Sequence, residues 1–366
     1  MEIHYVSLNH LDNFDQWDDF IKNSLRGHYS QYSEYLKSYL VYGADYKVFV
    51  AKIDNKIIGG IGCVLLGKLG FKIISVPAGP IIAEGYEYIF KDLINLVIDY
   101  AVEHSYTMLQ VSPLSHVDYK KPYLLPSIEL PIDRYPLHNG LPFRLTPIPN
   151  QLFLIDLMQS NEGKSWEETM LASFDRHARR RIKKSTEFNL EFKEVTNKDD
   201  VKEAYDLFVT NGETQGYKTR SWDDYGEIVM SQISKKQARV FIVTHNGELL
   251  TSHYGLIAGQ RYYYVLGGTK RTEVDYSAGH FLHWNIMKIA KEMKLEAYDF
   301  GSVGSQGVLR FKKSFKPERT IFDEPQYYVF SKSHFYLLKK LFPVMKKYKS
   351  QFAFLAKSFK LLKLNR

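Results

Sequence analysis

The sequence predicts a mixed α/β (α+β) fold made of two consecutive domains. Its 366 residues are more than one hydrophobic core usually organises. Strand and amphipathic-helix patterns are interleaved along the chain rather than segregated. The order hairpin strands, helix, strand runs once before residue 149 and starts again after it. The repetition is one of pattern, not of residues. The expected units are 1–148, 149–332 and a basic tail over 333–366.

The elements follow in order. YKVFVAKID and NKIIGGIGCVLL read as a β-hairpin turned at Asp54-Asn55. FKIISVPAGPIIAE reads as a strand ending at Pro77 and Pro80. YEYIFKDLINLVIDYAVEHS has apolar residues at helical spacing, and TMLQVSPL follows as a buried strand. The stretch from 114 to 145, rich in Pro and Tyr, reads as irregular. QLFLIDL opens the second unit as a strand. KSWEETMLASFDRHARRRIKKSTEF reads as one long helix, broken before the strand LEFKEV, and VKEAYDLFVTNGETQG as another helix. Three strands then run from Ala238 to Gly268, turned at Asn246-Gly247 and Gly259-Gln260. AGHFLHWNIMKIAKEMK is a helix and EAYDFGS a strand. This order matches the acetyltransferase-like GNAT fold, present twice, with mixed and largely antiparallel sheets flanked by helices.

Composition narrows the chemistry. Cys63 is the single cysteine, so a disulfide framework and a cysteine zinc site are excluded. It sits in an apolar run and reads as a buried, inert thiol. The net charge is +8, but His334 to Arg366 holds eight Lys and one Arg with no acid. The remainder has 40 basic and 41 acidic residues, so the basic character belongs to the tail. No signal pattern and no apolar stretch of membrane-spanning length is evident, and a cytoplasmic protein is expected. There are 27 tyrosines, a surplus that suits clefts and interfaces, or simply core. No HExxH, G-x-S-x-G or metal-spaced carboxylate cluster occurs. His280 and His283 lie three apart on a helix and read as structural, so no metal is expected.

YDFGSVGSQGVLRFKKSF places Gly301, Gly304 and Gly307 at a spacing of three. A phosphate-cradling loop needs a strand before it and a helix after it. No helical cap follows Gly307, and VLRFKKSF reads as a second strand. The glycines are then expected to join two strands, and a Walker or dinucleotide assignment fails.

Several segments together resemble the FemABX family of peptidyl aminoacyltransferases. They are QYSEYLKSY, VPAGPII, HARRRIKKS, ETQGYKTRSWDDY, the run from Tyr262 to Gly301, and GVLRFKKSF, the most specific. The resemblance covers most of the first 330 residues. It departs where Gly301-Ser302 replaces a Gly-Gly pair, where Lys316-Pro317 follows Phe315, and in lacking room for a helical arm. The resemblance implies two GNAT-like domains and transfer of an amino acid from aminoacyl-tRNA to an amine of a nucleotide- or lipid-linked peptidoglycan precursor. No further cofactor is implied. Two alternatives stand beside it. One is an acyl-CoA-dependent N-acyltransferase acting on a sugar or surface-polysaccharide precursor, with acetyl-CoA as donor. The other is a non-catalytic module that binds tRNA or membrane. The segment Asp275 to Phe281 has one glycine, Gly279, where CoA-binding members carry more, which argues against CoA.

The resemblance also assigns residues. Lys312 falls at the reaction centre, where a fixed cation stabilises the oxyanion formed as an amine attacks an aminoacyl ester. Phe311 would wall the acyl channel or be core. Lys37 and Arg220 are implied to bind the acceptor's diphosphate, as a point charge and a planar fork; a solvated helix charge is the competing reading of each. From strand alternation, not from the resemblance, Tyr264 and Tyr262 share one face and Tyr263 the other; one face should line the cleft, and a core tyrosine is the equal alternative, with Tyr276 and Asp299 as weaker candidates of the same sort. From the residues alone, Arg176, Arg180, Lys183 and Lys184 lie in a dense basic helix that suits a tRNA backbone or a solvated face. In the tail, Phe352, Leu355, Phe359 and Leu362 share one helical face beside lysines. Such a helix suits an anionic membrane surface on the inner face, or packing on the body.

Overall fold

The computed structural model describes residues 2–68, 71–116, 121–126, 129–138, 146, 148, 150–214, 216 and 219–347. In the first half the elements are β1 (His4–Asn9), α1 (Asp15–Asn23), α2 (Ser33–Lys37), β2 (Asp45–Ile53), β3 (Lys56–Lys68), β4 (Phe71–Pro77), β5 (Ile81–Ile82), α3 (Phe90–Glu103) and β6 (Met108–Ser112). Three two-residue strands follow: β7 (Ser115–His116), β8 (Leu125–Pro126) and β9 (Leu137–His138). The second half has β10 (Gln151–Asp156), α4 (Trp166–Ser173), α5 (Arg176–Ser185), β11 (Leu190–Val195), α6 (Lys198–Thr214), α7 (Trp222–Ser234), β12 (Ala238–His245), β13 (Glu248–Ala258), β14 (Arg261–Thr269), α8 (Ala278–Glu292) and β15 (Ala297–Asp299). It closes with α9 (Gln306–Ser314), β16 (Glu318–Ile321), β17 (Gln326–Val329) and α10 (Lys332–Lys347).

Two sheets carry the same plan. The first runs β1-β2-β3-β4-β6-β17-β9, with β5 on β3; the second runs β11-β12-β13-β14-β15-β10-β16. Each opens as an antiparallel meander, passes through one parallel pair, β4 with β6 or β14 with β15, and continues with two antiparallel strands. A parallel pair needs a crossover, and the amphipathic helices α3 and α8 supply it. Leu93, Ile94, Val97 and Ile98 of α3 are buried on the first sheet, and Leu282, Ile286, Met287 and Ala290 of α8 on the second. The expected hairpin turns are present: Asp54 and Asn55 both have positive φ, as do Asn246 and Gly247.

Two expected elements differ. The helix expected over 164–188 is two helices. Phe174 leaves the helix in extended backbone and is fully buried, and the Asp175 side chain then caps α5 by accepting from the Ala178 N–H at 2.7 Å. The segment VLRFKKSF is not a strand but most of α9, with Ser305 as its N-cap. That serine stands before Gly307, so the helix begins earlier than a cap sought after the glycine. The glycine loop thus joins a strand to a helix. In addition, β17, within the segment expected for the second domain, hydrogen-bonds in the first sheet between β6 and β9. Phe335 and Leu338 of α10, at the start of the expected tail, pack beneath it with Ile73 and Met108. The tail residues Phe352, Leu355, Phe359 and Leu362 lie outside the described residues.

A continuous core joins the halves. Trp17, Tyr32 and Val48 of the first share one cluster with Tyr205, Tyr254 and Tyr263 of the second. The Tyr32 hydroxyl donates to Ile257 O at 2.7 Å and the Tyr263 hydroxyl to Gly27 O at 3.0 Å.

Candidate active site

The site is built where β14 and β15 part. They pair over Arg261–Ala297, Tyr262–Tyr298 and Tyr263–Asp299 only, while β14 runs on to Thr269. On its other side, β14 slips register against β13. Gly255 faces Tyr264 and Tyr254 faces Leu266, so Val265 is an extra residue. Such a bulge bends a strand and re-aims its side chains. The second sheet therefore opens beyond Tyr263.

Helix α9 delivers Lys312 into this opening. The side chain is buried, at 4% exposure, and Nζ donates to Val303 O at 2.9 Å and Gly301 O at 3.3 Å. Gly301 is left-handed, at φ 59°, which turns the loop back towards the lysine. Asp299 Oδ1 accepts from the Gly301 N–H at 2.7 Å and secures the same turn. Lys312 Nζ also sits 5.2 Å from the centre of the Tyr264 ring. Burial pushes the lysine down to about 8, against the opposing pull of Asp299. Burial pushes the Asp299 carboxyl up, with Arg261 and the Gly301 N–H working in the other direction.

The floor beneath is aromatic and uncharged. Tyr264 stacks on His253 at 5.0 Å and stands edge-on to His283 at 4.9 Å. Phe311 is edge-on to His280 at 4.7 Å and leans on His283 at 5.3 Å. Burial pushes His253 and His280 down to about 3, and His283 well below its ordinary value, so these rings are neutral near pH 7. They serve as walls.

The expected residues divide. The structure brings Lys312, Phe311 and Tyr264 together around His283 and the loop after β15. Asp299 lies beside them but holds the loop, on the strand face opposite Tyr264. Tyr262, a candidate to line the cleft, is instead fully buried, stacked on Tyr298 at 5.4 Å. Its hydroxyl has no hydrogen-bond partner. Gly255 makes that packing possible, because a Cβ there would lie 2.2 Å from Tyr262 Oη. Tyr276 is placed elsewhere, against His245 at 4.6 Å and Phe188 at 5.0 Å.

Arg220 stands between the two halves. Its guanidinium lies over Tyr225 at 4.8 Å, Tyr42 at 5.2 Å and Tyr39 at 5.3 Å. Tyr39 and Tyr42 come from the first half and Tyr225 from α7. From Arg220 a run of rings leads back to the strand opening: Tyr39 to Tyr35 at 5.7 Å, Tyr35 to Tyr29 at 5.4 Å, and Tyr29 to Tyr263 at 4.9 Å. The sequence reading missed Tyr29, Tyr35, Tyr39, Tyr42 and Tyr225 as site residues; the tyrosine surplus was the one signal that pointed at them. Lys37 is exposed at the end of α2, 4.0 Å from the Glu34 carboxylate.

The basic helix α5 borders the same site. Its cap residue Asp175 donates its backbone N–H to Ser314 O at 3.0 Å, at the end of α9. Arg176, Arg180 and Lys183 are exposed, whereas Lys184 is half-buried over Phe188 and Arg181 pairs with Asp275.

Residues 172–313 match the family model described as an Acetyltransferase (GNAT) domain. No curated protein matches in sequence. Among solved structures, the crystal structure of FemX is similar at a TM-score of 0.73 and 15% identity, over 93% of this chain and 100% of that one. A conserved protein of unknown function from Bacteroides thetaiotaomicron VPI-5482 gives 0.56 at 13% identity, over 90% and 100%. L-PGS from Bacillus licheniformis gives 0.50 at 11%, over 87% and 92%. The matched domain, residues 172–313, is of the GNAT acyltransferase type. The architecture as a whole is the two-domain GNAT-like fold that the FemX structure also has. No helix among the described residues is long and apolar enough to cross a membrane.

Proposed function

We propose that this protein transfers an aminoacyl group from aminoacyl-tRNA to an amine of a peptidoglycan precursor, forming an interpeptide bridge. The observation that carries the reading is Lys312, a buried cation held by two loop carbonyls at the opening of the GNAT sheet. Two of its N–H groups are directed to Gly301 O and Val303 O, and a third is left for a developing oxyanion. The neutral acceptor amine attacks the ester carbonyl, the oxyanion forms beside Nζ, and as the carbonyl reforms the ribose oxygen leaves with the proton that the amine gives up. Arg220, held flat by tyrosines from both halves, suits the acceptor's diphosphate. Arg176, Arg180 and Lys183 suit the donor's phosphate backbone, one helix away from Lys312.

The test is label transfer. Purified protein is incubated with a nucleotide-linked pentapeptide and either labelled aminoacyl-tRNA or labelled acetyl-CoA. Transfer from the tRNA, abolished by Lys312→Met, supports the reading; transfer from acetyl-CoA alone sinks it. The match to the acetyltransferase domain favours that second reading, an acyl-CoA-dependent N-acyltransferase.

A lipid-linked acceptor would reward attachment to a membrane surface, and α10 fits that role. Tyr336, Leu337 and Leu341 are exposed at 60%, 48% and 39%, beside exposed Lys339 and Lys340. Each basic residue near an anionic surface contributes about 1 kcal/mol. Sedimentation with phosphatidylglycerol-containing vesicles tests this. Binding that persists after Tyr336, Leu337 and Leu341 are all changed to Ser removes α10 from the account.

A further inference from the structure

Arg261, the first residue of β14, is a buried cation that the site above does not use. It is 3% exposed, and its Nε and Nη1 are buried without a hydrogen-bond partner. Its guanidinium lies 4.8 Å from the centre of the Tyr263 ring and 5.9 Å from that of Tyr123. Ring faces attract a cation but cannot accept its in-plane N–H groups. A buried N–H left unmade is costly, more so on a charged group. Asp299 feels this charge from β15, yet its Oδ2 is also buried without a partner, so the two do not close an ion pair.

Beside Arg261 is a cavity of about 20 Å³ between the two halves of the chain, lined also by Arg26, His28 and Tyr123. The rest of its side-chain wall is hydrocarbon, from residues such as Ile81 and Phe322. Arg26, which pairs with Glu87 at 2.8 Å, supplies a second guanidinium. His28 adds a ring that burial beside Arg261 keeps neutral, with Nδ1 2.8 Å from the Ser30 hydroxyl and 3.1 Å from the Ser30 N–H. The charged side chains that line the cavity, Arg261 and Arg26, are both cationic, and the Tyr123 hydroxyl can donate as well. A single water needs about 10–15 Å³ and acceptors for its own protons. A monatomic anion needs only donors.

We propose that this cavity binds one monatomic anion of chloride size, held by Arg261 of the second half and Arg26 of the first. The ion bridges the two halves next to the tyrosine wall and completes the hydrogen bonding of Arg261. The proposal is independent of which acyl donor the enzyme uses.

Crystals of the full chain grown in sodium bromide test it directly by anomalous diffraction. The expected result is a bromide peak within hydrogen-bond distance of both Arg261 and Arg26. In solution, the melting temperature should rise saturably with chloride against gluconate at equal ionic strength. At ten times the dissociation constant the rise is about 2 °C, and Arg261→Met abolishes it. If that variant does not fold, the wild-type bromide peak decides. No anomalous peak, with equal melting in chloride and gluconate, assigns the cavity to water and overturns the proposal.

Discussion

Replacing Lys312 with Met removes the buried cation while keeping an unbranched side chain of similar length. Burial disfavours the charged form and lowers the lysine to about 8. At pH 7 the ammonium then outnumbers the amine by about 10 to 1, and at pH 9 the ratio is reversed, at 1.36 kcal/mol per pH unit. A step that needs the ammonium should therefore slow about 4-fold from pH 7 to 8.5, and about 8- to 10-fold for each further unit. A solvated lysine, titrating near 10.4, would leave the rate flat to pH 9 or so. The assay is single-turnover transfer of labelled donor between pH 6.5 and 10, with alkaline hydrolysis of the donor ester measured in parallel. Lys312→Met should lower the rate by about 100- to 1000-fold, or roughly 3–4 kcal/mol, and leave a profile without the fall near pH 8. A wild-type rate that rises through pH 8 would instead make Lys312 a proton acceptor. A variant within threefold of wild type would refute its role altogether.

Four further outcomes are expected. Arg220→Lys keeps a charge but loses the planar fork and its fit among Tyr39, Tyr42 and Tyr225; KM for the acceptor should rise about 10-fold or more with kcat little changed. Gly255→Ala should destabilise by about 1–3 kcal/mol, read by denaturant midpoint, because its Cβ meets the Tyr262 hydroxyl within a packed core. Tyr262→Phe, which removes an unpartnered buried hydroxyl, should be neutral or stabilising. Changing both Arg176 and Arg180 to Glu should weaken tRNA binding and flatten its dependence on salt, while an equivalent reversal at exposed Lys198 on α6 should not.

The sequence by itself determined the fold class. Alternation in β2, β3 and β12 to β14, the helical stripe of α3 and α8, and the turn residues at Asp54-Asn55 and Asn246-Gly247 are local signals, and local signals survive into the structure. It also singled out Lys312, Phe311 and Arg220 through motif position, and Tyr264 through strand alternation, rather than through any visible chemistry. What it obscured were terminations: Ser305 and Asp175 each start a helix by one side-chain hydrogen bond, which a pattern of apolar residues does not reveal. Only the tertiary structure decided the rest. Tyr262 and Tyr264 share a strand face, yet the gap left by Gly255 buries one, while the parting of β14 from β15 leaves the other beside Lys312. The tyrosines around Arg220 come from segments some 180 residues apart in the chain. Which side chains meet across that distance is set by how the two sheets pack, and burial then lowers Lys312 towards neutrality in a way no neighbouring residue in the sequence could.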